Sequence, residues 1–189
     1  MAALAVDVVA QDICRSGFDL TTEMPEVEAA INTAFEDYQV WEFLTDAIKW
    51  ARLYGGADAI MMIDGDNWSE PLDYDNVRRG AFKGLYVLDQ YHLTPSVSEL
   101  VEEMGPDFGL PKYYSIDDGS GLAFKDGNRR VHHSRVLRFV GRKLPLNINQ
   151  QFNGWGASVL EGLWDNIVAY DEATYGISQL VKKAHLRFC

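Results

Sequence analysis

The sequence predicts an α+β fold, with N-terminal helices, a small antiparallel β region in the middle and a long C-terminal helix. Three patterns carry that expectation. Ahead of residue 55, apolar residues recur at helical spacing in three separate stretches. Between residues 57 and 140 they gather into short runs divided by Asp-Gly turns. From residue 157 onward a three–four alternation returns and continues almost to the end.

Residues 3–15 read as the first helix, with Leu4, Val8 or Val9, and Ile13 on one side and Gly17 as its stop. Phe18, Leu20 and Thr22 suggest a short strand. Pro25 suits the first turn of a second helix, and Glu26 and Glu28 suit its positive N-terminus. A third helix is expected over 40–54, with Leu44, Ala47, Ile48, Ala51 and Tyr54 as its stripe and Gly55-Gly56 as its end. The run 57–63 is a buried strand by length and flanks.

Residues 65–80 are loop-like. The β-branched and aromatic run 84–93 reads as one strand, ended by Pro95, and 97–104 as a short helix. Strands are then expected at 112–116, 122–125 and 131–140, with turns at Asp117-Asp118-Gly119 and Asp126-Gly127. Residues 157–187 read as one helix, with a seam of Leu160, Leu163, Ile167, Tyr170, Thr174, Ile177, Val181 and Ala184. About thirty residues of helix span roughly 45 Å, longer than a small domain needs, so the seam requires partners.

The chain has 189 residues and a formal net charge of −11, from 17 basic and 28 acidic side chains. Tight binders of nucleic acid are usually basic, because phosphate contacts drive their affinity. An acidic wall instead lets a polyanion pass without holding it; acidity also serves solubility. Cys14 and Cys189 offer neither a disulfide framework nor zinc spacing, which fits a reduced setting. No apolar run reaches the length of a membrane span, and residues 1–10 lack a basic leader region.

Five stretches, in order, resemble the portal or head–tail connector proteins of tailed bacteriophages, in the branch found in prophages. They are Trp50-Ala51-Arg52-Leu53-Tyr54-Gly55-Gly56-Ala57, Leu85-Tyr86-Val87-Leu88-Asp89, and Phe108-Gly109-Leu110-Pro111-Lys112-Tyr113-Tyr114. Val131-His132-His133-Ser134-Arg135-Val136-Leu137-Arg138-Phe139 and Gly154-Trp155-Gly156-Ala157-Ser158-Val159-Leu160 complete the set.

The resemblance implies a ring, usually of twelve subunits, at one capsid vertex. Double-stranded DNA passes through it without tight binding. Implied partners are the terminase large subunit, the capsid and tail-connector proteins, with no membrane and no cofactor. The implied location is the virion, and the host cytoplasm during assembly. Residues 1–153 correspond to a wing-like domain and 154–189 to a stem-like helix that stops near the clip; the second stem helix and crown are not in this sequence. Arg129, Arg130, Arg135, Arg138 and Arg142, with Lys143, form a local basic region suited to DNA or to an acidic neighbouring subunit, and a ring of identical acidic subunits favours the neighbour.

A second chemistry competes. His92-Leu93-Thr94 and His132-His133-Ser134 match the paired His-x-Thr/Ser pattern of two-histidine phosphodiesterases acting on cyclic nucleotides, an anti-defence type of activity. There one histidine is the base and the other the acid, while Thr94 and Ser134 hold phosphate. Asp107-Phe108-Gly109 copies a kinase metal motif, but no glycine-rich loop or His-Arg-Asp loop accompanies it. Asp64, Asp66, Glu70, Asp73 and Asp75 crowd one loop without EF-hand spacing. The expectation is therefore a structural subunit and not an enzyme.

Overall fold

The computed structural model describes residues 2–17, 21, 24–65, 67–117 and 130–186. Three helices come first, α1 (Ala2–Arg15), α2 (Pro25–Asp37) and α3 (Val40–Tyr54). Six strands follow, β1 (Gly56–Ile63), β2 (Phe82–Asp89), β3 (Leu93–Pro95), β4 (Tyr113–Ile116), β5 (Arg130–His132) and β6 (Val136–Val140). A short helix α4 (Leu146–Gln151) and the long α5 (Trp164–Leu186) come last. The fold is α+β.

The strands form two three-stranded antiparallel sheets, ordered β2-β1-β6 and β3-β4-β5. β1 is central in the first and is covered on both sides, which is why it reads as a continuous apolar run. Side chains alternate along it. Ala59 joins Val40, Ala47, Leu85 and Val87 on the α3 side. Ile60 joins Leu88, Leu93, Tyr114, Ile116, Val131 and Trp155 on the side of the second sheet. α3 is thus the helix that closes the first sheet. α1 packs on α3 through buried Val6 and Ala10, while Arg52 Nη2 donates to Ala5 O at 2.8 Å.

Hydrogen bonds, some local and some between distant segments, account for several differences from the sequence expectations. The run 84–93 is not one strand. Asp89 Oδ1 accepts from the Tyr91 and His92 N–H groups, at 2.9 and 3.2 Å, and turns the chain from β2 into β3 of the other sheet. Pro95 belongs to β3, opposite Tyr114. Residues 97–104 are not helical, because Lys112 N–H donates to Glu99 O (2.8 Å) and Val101 N–H to Leu110 O (2.9 Å) in a ladder-like excursion.

The run 131–140 is split by a 3₁₀ turn, His133–Arg135, that carries the chain from one sheet to the other. The helix expected from 157 starts at Trp164, after a 3₁₀ turn Glu161–Leu163, because Ala157 exchanges both backbone hydrogen bonds with Arg142 at 2.9 Å. α4 has no counterpart among the sequence expectations. The expected strand residues Phe18, Leu20 and Thr22, the strand at 122–125 and the turn at 126–127 lie outside the described residues, as do positions 118 and 119 of the turn expected at 117–119.

Candidate assembly site: a glycine clasp at the root of an exposed helix

Four glycines build the junction between the folded body and α5. Gly55 ends α3 with φ +102°, a conformation that a side chain strongly disfavours. Its carbonyl oxygen accepts from Gly141 N–H (2.9 Å) and from Gly156 N–H (3.0 Å). A Cβ on Gly55 would overlap the Gly156 carbonyl, and one on Gly56 would overlap the Trp155 ring. One on Gly141 would sit 2.6 Å from Ala51 O, and one on Gly156 2.7 Å from Arg142 O. The backbone approach that these contacts describe is open only to glycine.

Around the clasp, Val159 N–H donates to Arg52 O (2.9 Å), and Arg138 stacks on Trp155 with 4.5 Å from its guanidinium carbon to the ring centroid. Arg138 Nη2 also donates to Gly154 O at 2.6 Å. Residues 154–159 are therefore bound into the body, and the helix leaves it only after Leu163. An ion pair between Arg142 and Glu161, 3.3 Å apart, bridges the exit.

α5 then projects with almost no contact to the rest of the chain. Of its residues whose side chains are described, all but Ile167 and Gln179 are exposed. Trp164, Tyr170, Tyr175, Ile177, Leu180 and Val181 are all at least half exposed. The expected seam residues Ile167, Tyr170, Thr174, Ile177, Val181 and Ala184 lie on this bare helix, with Leu163 just ahead of it and Leu160 half-buried at its root.

The arginines expected to meet a neighbour are engaged within the subunit. Arg130 pairs with Glu99 and lies 3.7 Å over the Tyr113 ring centroid. Arg135 is 1% exposed and donates from Nε to Glu70 O (2.7 Å) and from Nη2 to Pro71 O (3.2 Å). Arg138 and Arg142 serve the clasp as described; Arg129 lies outside the described residues.

The two histidine motifs are not brought together. His132 stands opposite Tyr113 in the sheet, whereas His92 is level with Asp117. That is four rows of the ladder, or about 13 Å along the strand direction. His92 is exposed in a turn, its Nδ1 2.8 Å from Asp89 Oδ1. Thr94 is exposed on β3.

His132 is 4% exposed, and its ring caps the 3₁₀ turn. Its Nδ1 accepts from Ser134 N–H (3.3 Å) and lies 2.9 Å from Ser134 Oγ, which itself accepts from Leu72 N–H at 2.8 Å. Because Nδ1 accepts from Ser134 N–H, the proton of the neutral ring belongs on Nε2, and the Ser134 hydroxyl is free to donate to Nδ1. Burial, then the charges of His133, Lys112 and Arg135, push its pKa down to about 4. His132 and His133 line a cleft of about 740 Å³ together with Glu99, Glu103, Lys112 and Tyr113.

Sequence reasoning misses Asp58, the only acid in the apolar run of β1. It is fully buried, neither carboxylate oxygen has a hydrogen-bond partner, and burial pushes its pKa up to about 8 against the opposing pull of Arg138. The pKa of Tyr114 is pushed up to about 12, chiefly by burial. The available signal is an aspartate flanked by alanines inside a buried strand. The acidic loop places Asp73 as a turn cap, its Oδ1 accepting from Asp75 N–H at 3.1 Å. Among the described residues no three His, Cys, Asp or Glu side chains converge as a metal site, and no helix is long and apolar enough to cross a membrane.

The five motif stretches thus meet mainly around the clasp and in the two cores beside it. A family model described as "Phage portal protein" matches residues 1–189. This chain belongs to the phage portal protein family. Among curated sequences, this portal-family chain is 30% identical over 189 residues to "Anti-CBASS protein Acb1" of Caulobacter sp. (strain RHG1), covering 97% of this chain and 29% of that protein. It is 29% identical over 186 residues to the protein of the same name from Sphingomonas paeninsulae, again covering 97% of this chain and 29% of the other. An uncharacterized protein of Haemophilus influenzae is 29% identical over 140 residues, covering 74% of this chain and 29% of its own length. The chain therefore spans under a third of the curated relatives that it matches.

Proposed function

We propose that this chain supplies the wing-like body and first stem-like helix of a portal subunit. The proposed body is 1–153 and the proposed stem-like unit 154–189, with the free helix emerging after Leu163. The subunit would join a ring at the capsid vertex, through which double-stranded DNA is packaged and ejected. The supporting observation is α5, a helix of 23 residues with an apolar seam, held at its root by a glycine clasp and bare along its length. Such a helix gains most of its stability from other helices that cover it. A formal charge of −11 suits a conduit that must not retain DNA. The terminase large subunit, capsid and tail-connector proteins are the proposed partners, the virion the proposed location, and the role is structural and not catalytic.

The test is the mass of the purified protein by light scattering across salt concentrations. A discrete high-order ring supports the reading. A monomer at every concentration and salt removes it for this chain. Substituting Asp for Ile167 or Ile177 should impair assembly.

The name of two relatives favours a second reading, a two-histidine phosphodiesterase acting on cyclic nucleotides. It requires His92 and His132 to share a substrate, and they lie about 13 Å apart along the strands. The Ser134 hydroxyl is already engaged by His132, 2.9 Å away, and accepts from Leu72 N–H. Turnover of a cyclic dinucleotide by this chain, abolished by His92→Ala and by His132→Ala with the fold intact, would establish the enzyme and displace the structural reading.

A further inference from the structure

The clasp shares one of its side chains with the buried carboxyl of Asp58. Asp58 on β1 and Arg138 on β6 are direct partners in the ladder, so both side chains stand on the face that holds Ile60 and the second sheet. Directly opposite residues have Cβ atoms about 5 Å apart, within easy reach of an arginine. Yet no hydrogen bond joins the two. Both Asp58 oxygens are buried without a partner, and so is Arg138 Nε. The guanidinium is drawn the other way, with Nη2 on Gly154 O at 2.6 Å and its carbon 4.5 Å from the Trp155 ring centroid.

This arrangement suits a protonated Asp58, since a carboxylate in the same place would be an uncompensated buried charge. The charge that acts on Asp58 is that of Arg138, and burial outweighs it. Tyr114 of β4 feels both groups and, pushed up to about 12, keeps its own proton while Asp58 titrates. The other core residues of this face, Leu88 of β2, Leu93 of β3, Val131 of β5 and Trp155, neither titrate nor carry charge, and α3 covers the opposite face. Once Asp58 ionises, Arg138 is therefore the group that can answer it. Turning the guanidinium toward Asp58 gives the carboxylate oxygens and Nε partners in one charge-assisted pair. The group left behind is Gly154 O, and Gly154 is only half-buried, so water can take the place of Nη2.

We propose that Arg138 is a two-position latch, seated on Gly154 and Trp155 while Asp58 carries its proton and on the Asp58 carboxylate once that proton is lost. The root of α5 is thereby coupled to a buried titration. When the latch turns, the strap 154–157 gives up a side-chain tie to the body and keeps its backbone bonds, Gly156 N–H to Gly55 O and Ala157 N–H to Arg142 O. Rising pH is the direction that loosens the strap. Burial sets the Asp58 titration near 8 with Arg138 on Gly154, and the pull of a turned Arg138 on the ionised form moves the midpoint downward. The latch belongs to the single subunit and does not depend on the ring reading.

Carbon-detected NMR on the whole chain, with isotope-labelled aspartate and arginine, tests it from about pH 5 to about pH 10. Asp58→Asn and Arg138→Lys assign the two side chains. The Asp58 carboxyl carbon and Arg138 Nε should move together with one midpoint, and Arg138 Nε should stay fixed in Asp58→Asn. Amide hydrogen exchange over residues 155–157, compared with Asp58→Asn at each pH, reads the consequence, since the variant cancels the intrinsic pH dependence of exchange. The ratio of parent to variant exchange should rise about tenfold across the midpoint, as the loss of one charge-assisted hydrogen bond predicts. Circular dichroism checks that Asp58→Asn is folded; if it is not, the joint titration in the unsubstituted chain decides alone. An Asp58 carboxyl that titrates while Arg138 Nε stays still, one that never titrates in this range, or exchange that tracks a folded Asp58→Asn at every pH overturns the latch. None of these results bears on ring formation, which light scattering reads separately.

Discussion

Asp58 lies directly opposite Arg138 in the register of β1 and β6, yet neither of its carboxylate oxygens has a hydrogen-bond partner. Burial raises its pKa from 3.8 to about 8 in the folded state. A raised carboxyl stabilises the fold fully below pH 3.8 and loses that contribution as pH rises toward 8. Asp58→Asn keeps the shape without the titration. Its stability in urea unfolding should gain on the parent protein steadily from pH 5 to pH 8, by at most about 1.4 kcal/mol per pH unit. A stability difference that stays constant over that range would mean that Asp58 is not held neutral.

His132 predicts the opposite slope. Its folded pKa of about 4 lies below the ordinary 6.5, so its contribution is present above pH 6.5 and lost as pH falls through 4. His132→Asn can still offer an oxygen to Ser134 N–H but does not titrate in this range. The parent protein should therefore lose ground to this variant between pH 7 and pH 4.5 in thermal or urea unfolding. Parallel curves would place the ring in a more open setting.

The clasp should tolerate no side chain. Gly56→Ala would drive a methyl group into the Trp155 ring, and Gly156→Ala would drive one into the Arg142 carbonyl. Overpacking of this kind costs about 1–3 kcal/mol, more where backbone must move. Both variants should melt well below the parent. Trp155→Ala supplies the companion variant, since it removes the obstacle to Gly56→Ala. The pair should be less than additive in urea unfolding. Full additivity would show that the ring is not what excludes the methyl.

Gly176 lies inside α5, and a Cβ added there would meet nothing within 4 Å. Gly176→Ala should raise helix content and stabilise α5 by about 1 kcal/mol. Circular dichroism on the two proteins measures it directly. A fall in helicity would indicate that the glycine is needed for close packing against a partner helix.

Much of the architecture is legible in the residues themselves. The start of α2 follows from Pro25 and the end of α3 from Gly55, because a proline ring and a left-handed glycine act within one turn of chain. The buried strand β1 follows from the length and flanks of its apolar run, and the seam of α5 from periodicity. The run 84–93, by contrast, is one apolar stretch in sequence and two strands in space, because the carboxylate of Asp89 turns the backbone between them. His132 does the same for 131–140 through its cap on Ser134. Propensity registers neither, since a side-chain cap is a choice among local hydrogen bonds that packing settles.

The sequence by itself determined the α+β class, the N-terminal helices, the acidity and the seam of the last helix, which rest on composition or on neighbours within a few positions. Only the tertiary structure decided that Gly55, Gly141 and Gly156 meet at one carbonyl oxygen, that Asp58 is buried without a hydrogen-bond partner, that His92 and His132 stand apart, and that α5 leaves the body bare. Those features join residues far apart in the chain. Their energies come from burial and close backbone contact, which exist only once the chain has folded.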